Sequence, residues 1–181
     1  LDGSIVGTWT LTATGLIEVG SLTGAVNSLS SVYGSIVVHQ DLAGWVWMGA
    51  LPARGYEDLL GSIHVDGSVT GTIHIAGSVG ETGSIYVRGV LSDLNGDLSG
   101  GQIQIDRALR GGATIVVATP FAIDTGFIAI RYSGYDDADT TDPWDPNAFV
   151  MINDETCHGD RPDLNVRKIS PCKADLNGDG T

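Results

Sequence analysis

Branched apolar residues fall two apart along much of this chain, each short run set off by a glycine. Gly61-Ser62-Ile63-His64-Val65, Gly71-Thr72-Ile73-His74-Ile75, Gly83-Ser84-Ile85-Tyr86-Val87 and Gly101-Gln102-Ile103-Gln104-Ile105 share the pattern Gly-polar-Ile-x-(Val/Ile). Gly34-Ser35-Ile36-Val37-Val38 and Gly126-Phe127-Ile128-Ala129-Ile130 extend it in both directions, and Gly3-Ser4-Ile5-Val6 opens it. A period of two predicts strands with one buried face. From Ile63 to Ile73 is 10 positions, from Ile73 to Ile85 is 12 and from Ile85 to Ile103 is 18, so the half-period is near 10 to 12 and the full period near 22, with insertions.

Each run ends at once in a glycine turn, as in Asp66-Gly67-Ser68-Val69-Thr70-Gly71, which leaves no room for the helix of a βαβ crossover. The chain is therefore expected to turn a corner every few residues and stack each circuit on the last, about 4.8 Å away. The predicted class is all-β: a parallel β-helix or β-solenoid, right-handed by the general preference of parallel connections, with an irregular C-terminal capping segment. Ile63, Val65, Ile73, Ile75, Ile85, Val87, Ile103 and Ile105 are expected to point inward. Hairpins in a β-sandwich or barrel have similar spacing, but they give no reason for one turn and one strand to recur in the same order.

Two regions break the pattern. Between 39 and 60, Trp45, Trp47, Met48 and Tyr56 interrupt the small-residue turns, and Ala50 to Leu60 has room for a helical turn. Local packing over a loop accounts for the aromatic group; a sugar-stacking or partner-contact patch at Trp45, Trp47 and Tyr56 is the functional alternative. After Tyr132 the chain turns acidic and proline-marked, with 11 acids and 4 bases over residues 133 to 181, although Ala148-Phe149-Val150-Met151-Ile152 is still strand-like. The expected organisation is a solenoid at 1–132, an irregular acidic cap at 133–173 and a tail at 174–181.

Composition narrows the function. With 22 acids against 9 bases the formal charge is −13, and no Lys/Arg cluster offsets it, so nucleic-acid binding is excluded. The 26 glycines are about twice the usual ~7% share, yet 42% of residues are hydrophobic, which indicates a turn-dense fold with a real core. No apolar run approaches the ~18 to 20 residues of a membrane span. The numbering opens at Leu1 without a methionine, consistent with a processed product or a piece of something longer. The glycine-isoleucine array resembles the Gly-Ser-Ile-x-Val repeats of bacterial parallel β-helix surface proteins, including planctomycete-type secreted proteins, over about residues 34 to 130. The resemblance implies architecture more than activity.

Chemistry-bearing motifs are few. Cys157 and Cys172 lie 15 apart in the loop-rich segment without zinc spacing; a disulfide worth about 3 kcal/mol and an oxidising compartment are expected, with free structural thiols or a reactive thiol as alternatives. Asp175-Leu176-Asn177-Gly178-Asp179-Gly180 sets oxygen ligands Asp175, Asn177 and Asp179 at calcium-loop positions 1, 3 and 5, with glycine at 6. It resembles the start of a dockerin-type loop. The match stops at Thr181, so calcium binding is expected to be weak, and a flexible acidic terminus is the plain alternative. Asp93-Leu94-Asn95-Gly96-Asp97 lacks the sharp glycine turn and reads as an inserted corner. Asp136, Asp137, Asp139, Asp142 and Asp145 read as a solvated acidic loop before a cation site. His64 and His74 sit at outward positions of successive strands, where a metal pair is the lesser reading.

Without a catalytic constellation, no enzyme is expected; a polysaccharide lyase or hydrolase is the weakest reading. The leading one is an extracellular or cell-surface structural protein that assembles head to tail with itself. Ile5, Trp9 and Leu11 would form one end and Phe149, Val150, Met151 and Ile152 the other, joined by strand addition. The alternative is a carbohydrate-binding or surface-attachment module with polysaccharide as partner.

Overall fold

Two stacks of very short strands make up the molecule. The computed structural model describes residues 5–6, 15–28, 30–49, 57–92, 100–118, 126–130, 144–157, 161 and 166–168. One seven-stranded sheet holds, in spatial order, β1 (Ile5–Val6), β3 (Ala25–Ser28), β5 (Trp45–Met48), β7 (Thr72–Ile75), β9 (Gln102–Ile105), β11 (Phe127–Ile130) and β14 (Val166–Lys168). The other, also seven-stranded, holds β2 (Leu16–Val19), β4 (Ser35–Val38), β6 (Ser62–Val65), β8 (Ser84–Val87), β10 (Thr114–Val117), β12 (Phe149–Ile152) and β13 (Glu155–Cys157). From β1 to β12, successive strands lie in opposite sheets, so the chain crosses the molecule at every turn. Among the described residues every pairing between strands is parallel except that of β12 with β13, which is not the pattern of a meander of hairpins. No helix occurs among the described residues, and none is long and apolar enough to cross a membrane.

The registers stack like residues on like. Ile17, Ile36, Ile63, Ile85, Ile115 and Val150 form one inward row, and Val26, Val46, Ile73, Ile103, Ile128 and Val166 form its counterpart in the facing sheet. Corner rows connected by single parallel bridges add Leu22, Leu42, Val69 and Leu91 on one side, and Val32, Leu59, Val79, Leu109 and Trp144 on the other. The eight residues expected inward are all fully buried. Each such side chain contributes roughly 1.5–3 kcal/mol of transfer free energy, so a core only two sheets thick is sustained by length.

At Gly44 and Gly71 the glycine before the strand answers to close backbone approach, not to an unusual backbone conformation. A Cβ on Gly44 would lie 1.8 Å from the carbonyl oxygen of Gly24, and one on Gly71 would lie 1.8 Å from that of Gly44. Positive φ is found at neither; among the described glycines it occurs only at Gly101 and Gly111. At these positions the paired backbone segments lie so close that only hydrogen fits between them.

Three expectations change. Trp45 to Met48 is not an interruption: it is strand β5, in register with β3 and β7, with Val46 and Met48 in the core and both indoles outward. The stack also continues past residue 132, since Trp144 extends a corner row, β12 lies on β10 and β14 lies on β11. Finally, Phe149 to Ile152 do not offer an open edge. After Ile152 the chain reverses through Asn153 (φ 48°) and Asp154 (φ 64°), and β13 pairs antiparallel along the far side of β12. Val150 and Ile152 are buried in the core. At the other end Ile5 lies in β1, paired with β3, while Trp9 and Leu11 fall outside the described residues.

Candidate functional site

Strand alternation sends Trp45 and Trp47 to the same outer face, two residues apart on β5. Their relative exposures are 57% and 43%; Leu16 and Tyr33 are the other exposed large hydrophobic side chains among the described residues, and only the two indoles stand together on one strand. Parallel register then fixes their neighbours: Thr72 and Gln102 follow Trp45 along one outward row, and His74 and Gln104 follow Trp47 along the next. These side chains enclose a cavity of about 260 Å³ that spans β5, β7 and β9. Its lining is largely apolar, from the indoles and Val46, with the hydroxyl, imidazole and amide groups of Thr72, His74, Gln102 and Gln104 among it.

Contacts within the groove hold it in shape. The rings of Trp47 and His74 are 5.4 Å apart and tilted by 31°. Behind the ring, His74 Nε2 lies 2.9 Å from Asp106 Oδ1, at a carboxylate only 12% exposed. Gln104 donates from Nε2 to Gln102 Oε1. Both glutamines are buried although they occupy outward positions of the sheet, so their amide groups work in a weakly screened environment. On the far side of Trp47 the indole folds over Gly49, where a Cβ would stand 1.9 Å from Trp47 Nε1.

The opposite face carries a second polar cluster. His39 Nε2 is 2.7 Å from Glu18 Oε1 and His39 Nδ1 is 3.3 Å from Asp66 Oδ2, while His64 Nε2 is 3.0 Å from Asp66 Oδ1. The ring of His64 stacks on Tyr86 at 4.7 Å. Hydrogen bonds from Glu18 and then Asp66 raise the pKa of His39 above its ordinary 6.5, and hydrogen bonds from His64 and then His39 lower that of Asp66 below 3.8. All of these groups are substantially exposed, and the cluster ties the circuits of β2, β4 and β6 together. His64 and His74, on the consecutive strands β6 and β7, lie on opposite sheets and cannot share a metal ion. Among the described residues no group of three or more His, Cys, Asp or Glu side chains is arranged to hold one.

Of the residues singled out from sequence, Trp45 and Trp47 come together as a site, whereas Tyr56 lies outside the described residues. Cys157 is buried at the end of β13; Cys172 lies outside the described residues, as do Asp175, Asn177 and Asp179, the Asp93 to Asp97 run, and Asp136 to Asp142. Asp145 accepts a hydrogen bond from the backbone N–H of Asn147 at 2.8 Å and so shapes a turn. Sequence reasoning missed Thr72, Gln102 and Gln104 as partners of the tryptophans. The signal was present: aligning Gly44, Gly71 and Gly101 places residues 45, 72 and 102 in one row. Comparison of the chain with protein-family models, curated proteins and solved structures gives no match.

Proposed function

We propose that the chain is a β-solenoid that serves outside the cell as a surface module and binds polysaccharide through the Trp45/Trp47 face. The alternation of strands between two parallel sheets and the two columns of corner bridges support the solenoid. One observation carries the binding function: two exposed indoles line a cavity together with Thr72, His74, Gln102 and Gln104. A sugar ring has an apolar C–H face suited to the electron-rich face of an indole, and a rim of hydroxyls that needs amide donors and acceptors. The groove supplies both, so binding, not bond cleavage, is its role. A bridge between Cys157 and Cys172 belongs to the same extracellular setting, and calcium is at most a weak ligand of the acidic tail.

Self-assembly by strand addition onto β12 would require β13 to leave that edge. An immobilised-glycan array tests the binding proposal. The protein should be retained by at least one polysaccharide, and Trp45→Ala/Trp47→Ala should release it without lowering the melting temperature, since neither indole is part of the core. Retention that survives the double substitution would overturn the assignment.

A further inference from the structure

Resting on the carbohydrate-binding proposal, we infer that the groove selects an uncharged glycan and that Gly49 is the residue that positions Trp47 for it. Acidic sugars are held by Arg or Lys, whose N–H groups meet carboxylate or sulfate oxygens. Among the described residues around this cavity there is neither. The ionisable group directly behind it is Asp106, a carboxylate 2.9 Å from His74, and the whole chain carries −13. The one ionisable side chain in the described lining, His74, is already engaged by Asp106, so an anionic glycan would meet that carboxylate without an Arg or Lys to offset it. A quaternary ammonium asks for aromatic faces on several sides, whereas these two indoles project from one strand toward one side. What the lining does offer is the nearly buried amide pair Gln102 and Gln104, at 4% and 7% exposure. Neutral hydrogen-bonding groups in such surroundings reward a hydroxyl and penalise a bare charge.

Gly49 enters through geometry. A Cβ there would sit 1.9 Å from Nε1 and 2.7 Å from Cδ1 of Trp47, so the indole rests directly on the glycine backbone. That seat holds the ring at its 31° tilt to His74. Any side chain at position 49 must displace the indole from that seat, while the core residue Met48 and the backbone bond from Gly49 N–H to Ser28 O, 3.1 Å, are expected to stay in place.

The test is a calorimetric and tryptophan-fluorescence titration of the intact chain with neutral β-glucan, mannan and xylan oligosaccharides, with polygalacturonate, with chitosan oligomers and with choline. Binding is expected for at least one neutral glycan, changing less than about two-fold between roughly 0.05 and 0.5 M salt because no ion pair is involved. Trp47→Ala and Gly49→Val should each weaken it about ten-fold or more, with Gly49→Ala as the gentler variant if valine impairs folding. Tryptophan-dependent binding of only the acidic or the cationic glycans would leave carbohydrate binding standing and overturn the neutral class. Binding of no glycan, or of choline alone, would overturn the carbohydrate function itself. Position-49 variants that fold and bind like the parent would remove Gly49 from the site.

Discussion

At the scale of single residues the fold depends on what cannot be added. Gly71→Ala puts a methyl 1.8 Å from the Gly44 carbonyl, a backbone atom held by the neighbouring circuit, so the sheet itself must yield. A loss of about 2 kcal/mol or more is expected in urea unfolding. Gly20→Ala is the matched control, with nothing within 4 Å of its Cβ, and should be neutral or stabilising by up to about 1 kcal/mol. Equal effects at the two positions would refute the stacking explanation. Ile73, fully buried in the middle of its row, should cost about 2–5 kcal/mol as alanine and prevent folding as aspartate, both readable by circular dichroism. The inward rows were legible because Ile and Val alternate with polar residues after a glycine. Strand β5 was not, because Trp45 and Trp47 fill its outward positions, and aromatic bulk there mimics a loop; Gly44, Val46 and Met48 obey the rule unnoticed.

At the scale of elements, cross-circuit polar contacts set the pH response and the corners. The raised pKa of His39 means its bonds to Glu18 and Asp66 stabilise fully below its ordinary 6.5 and fade as pH rises through the raised value. The lowered pKa of Asp66 works the other way: its contribution is present above 3.8 and is lost as pH falls through the depressed value. Both operate together between about pH 3.8 and 6.5. Melting temperature should decline on the alkaline side of that window, and His39→Gln should flatten that decline; an unchanged alkaline slope would show that the clamp is idle. At the corners, Asp58 Oδ1 accepts the backbone N–H of buried Ser78 at 2.6 Å. Asp58→Ala should therefore cost about 1–3 kcal/mol in denaturant, with Asp58→Asn closer to the parent. These contacts escape a linear reading because β6 and β7 follow each other in sequence yet belong to different sheets; His64 finds Tyr86 on β8, and His74 finds Asp106 beyond β9.

At the scale of the whole molecule, parallel sheets have terminal strands, and an unpaired strand edge is a place where another chain can add. Along β12 the edge is occupied by the return strand β13, and the reversal into that strand passes through two residues in the left-handed region, Asn153 at φ 48° and Asp154 at φ 64°. Asn and Asp tolerate that conformation and favour the primed turns that match strand twist, whereas a β-branched residue does not. The Asn-Asp pair was the available sequence signal for this hairpin, hidden by its setting in a proline-marked acidic segment. Asn153→Val/Asp154→Val should therefore open the turn, free the edge of β12 and expose N–H and C=O groups that invite another chain. Sedimentation velocity over a range of concentrations should show the parent unchanged and the double variant associating increasingly with concentration. Cys157 must be tracked by mass under non-reducing conditions, so that association through sulfur is distinguished from association through strands. A variant that melts like the parent and sediments identically at every concentration would mean that the hairpin is not what guards this edge.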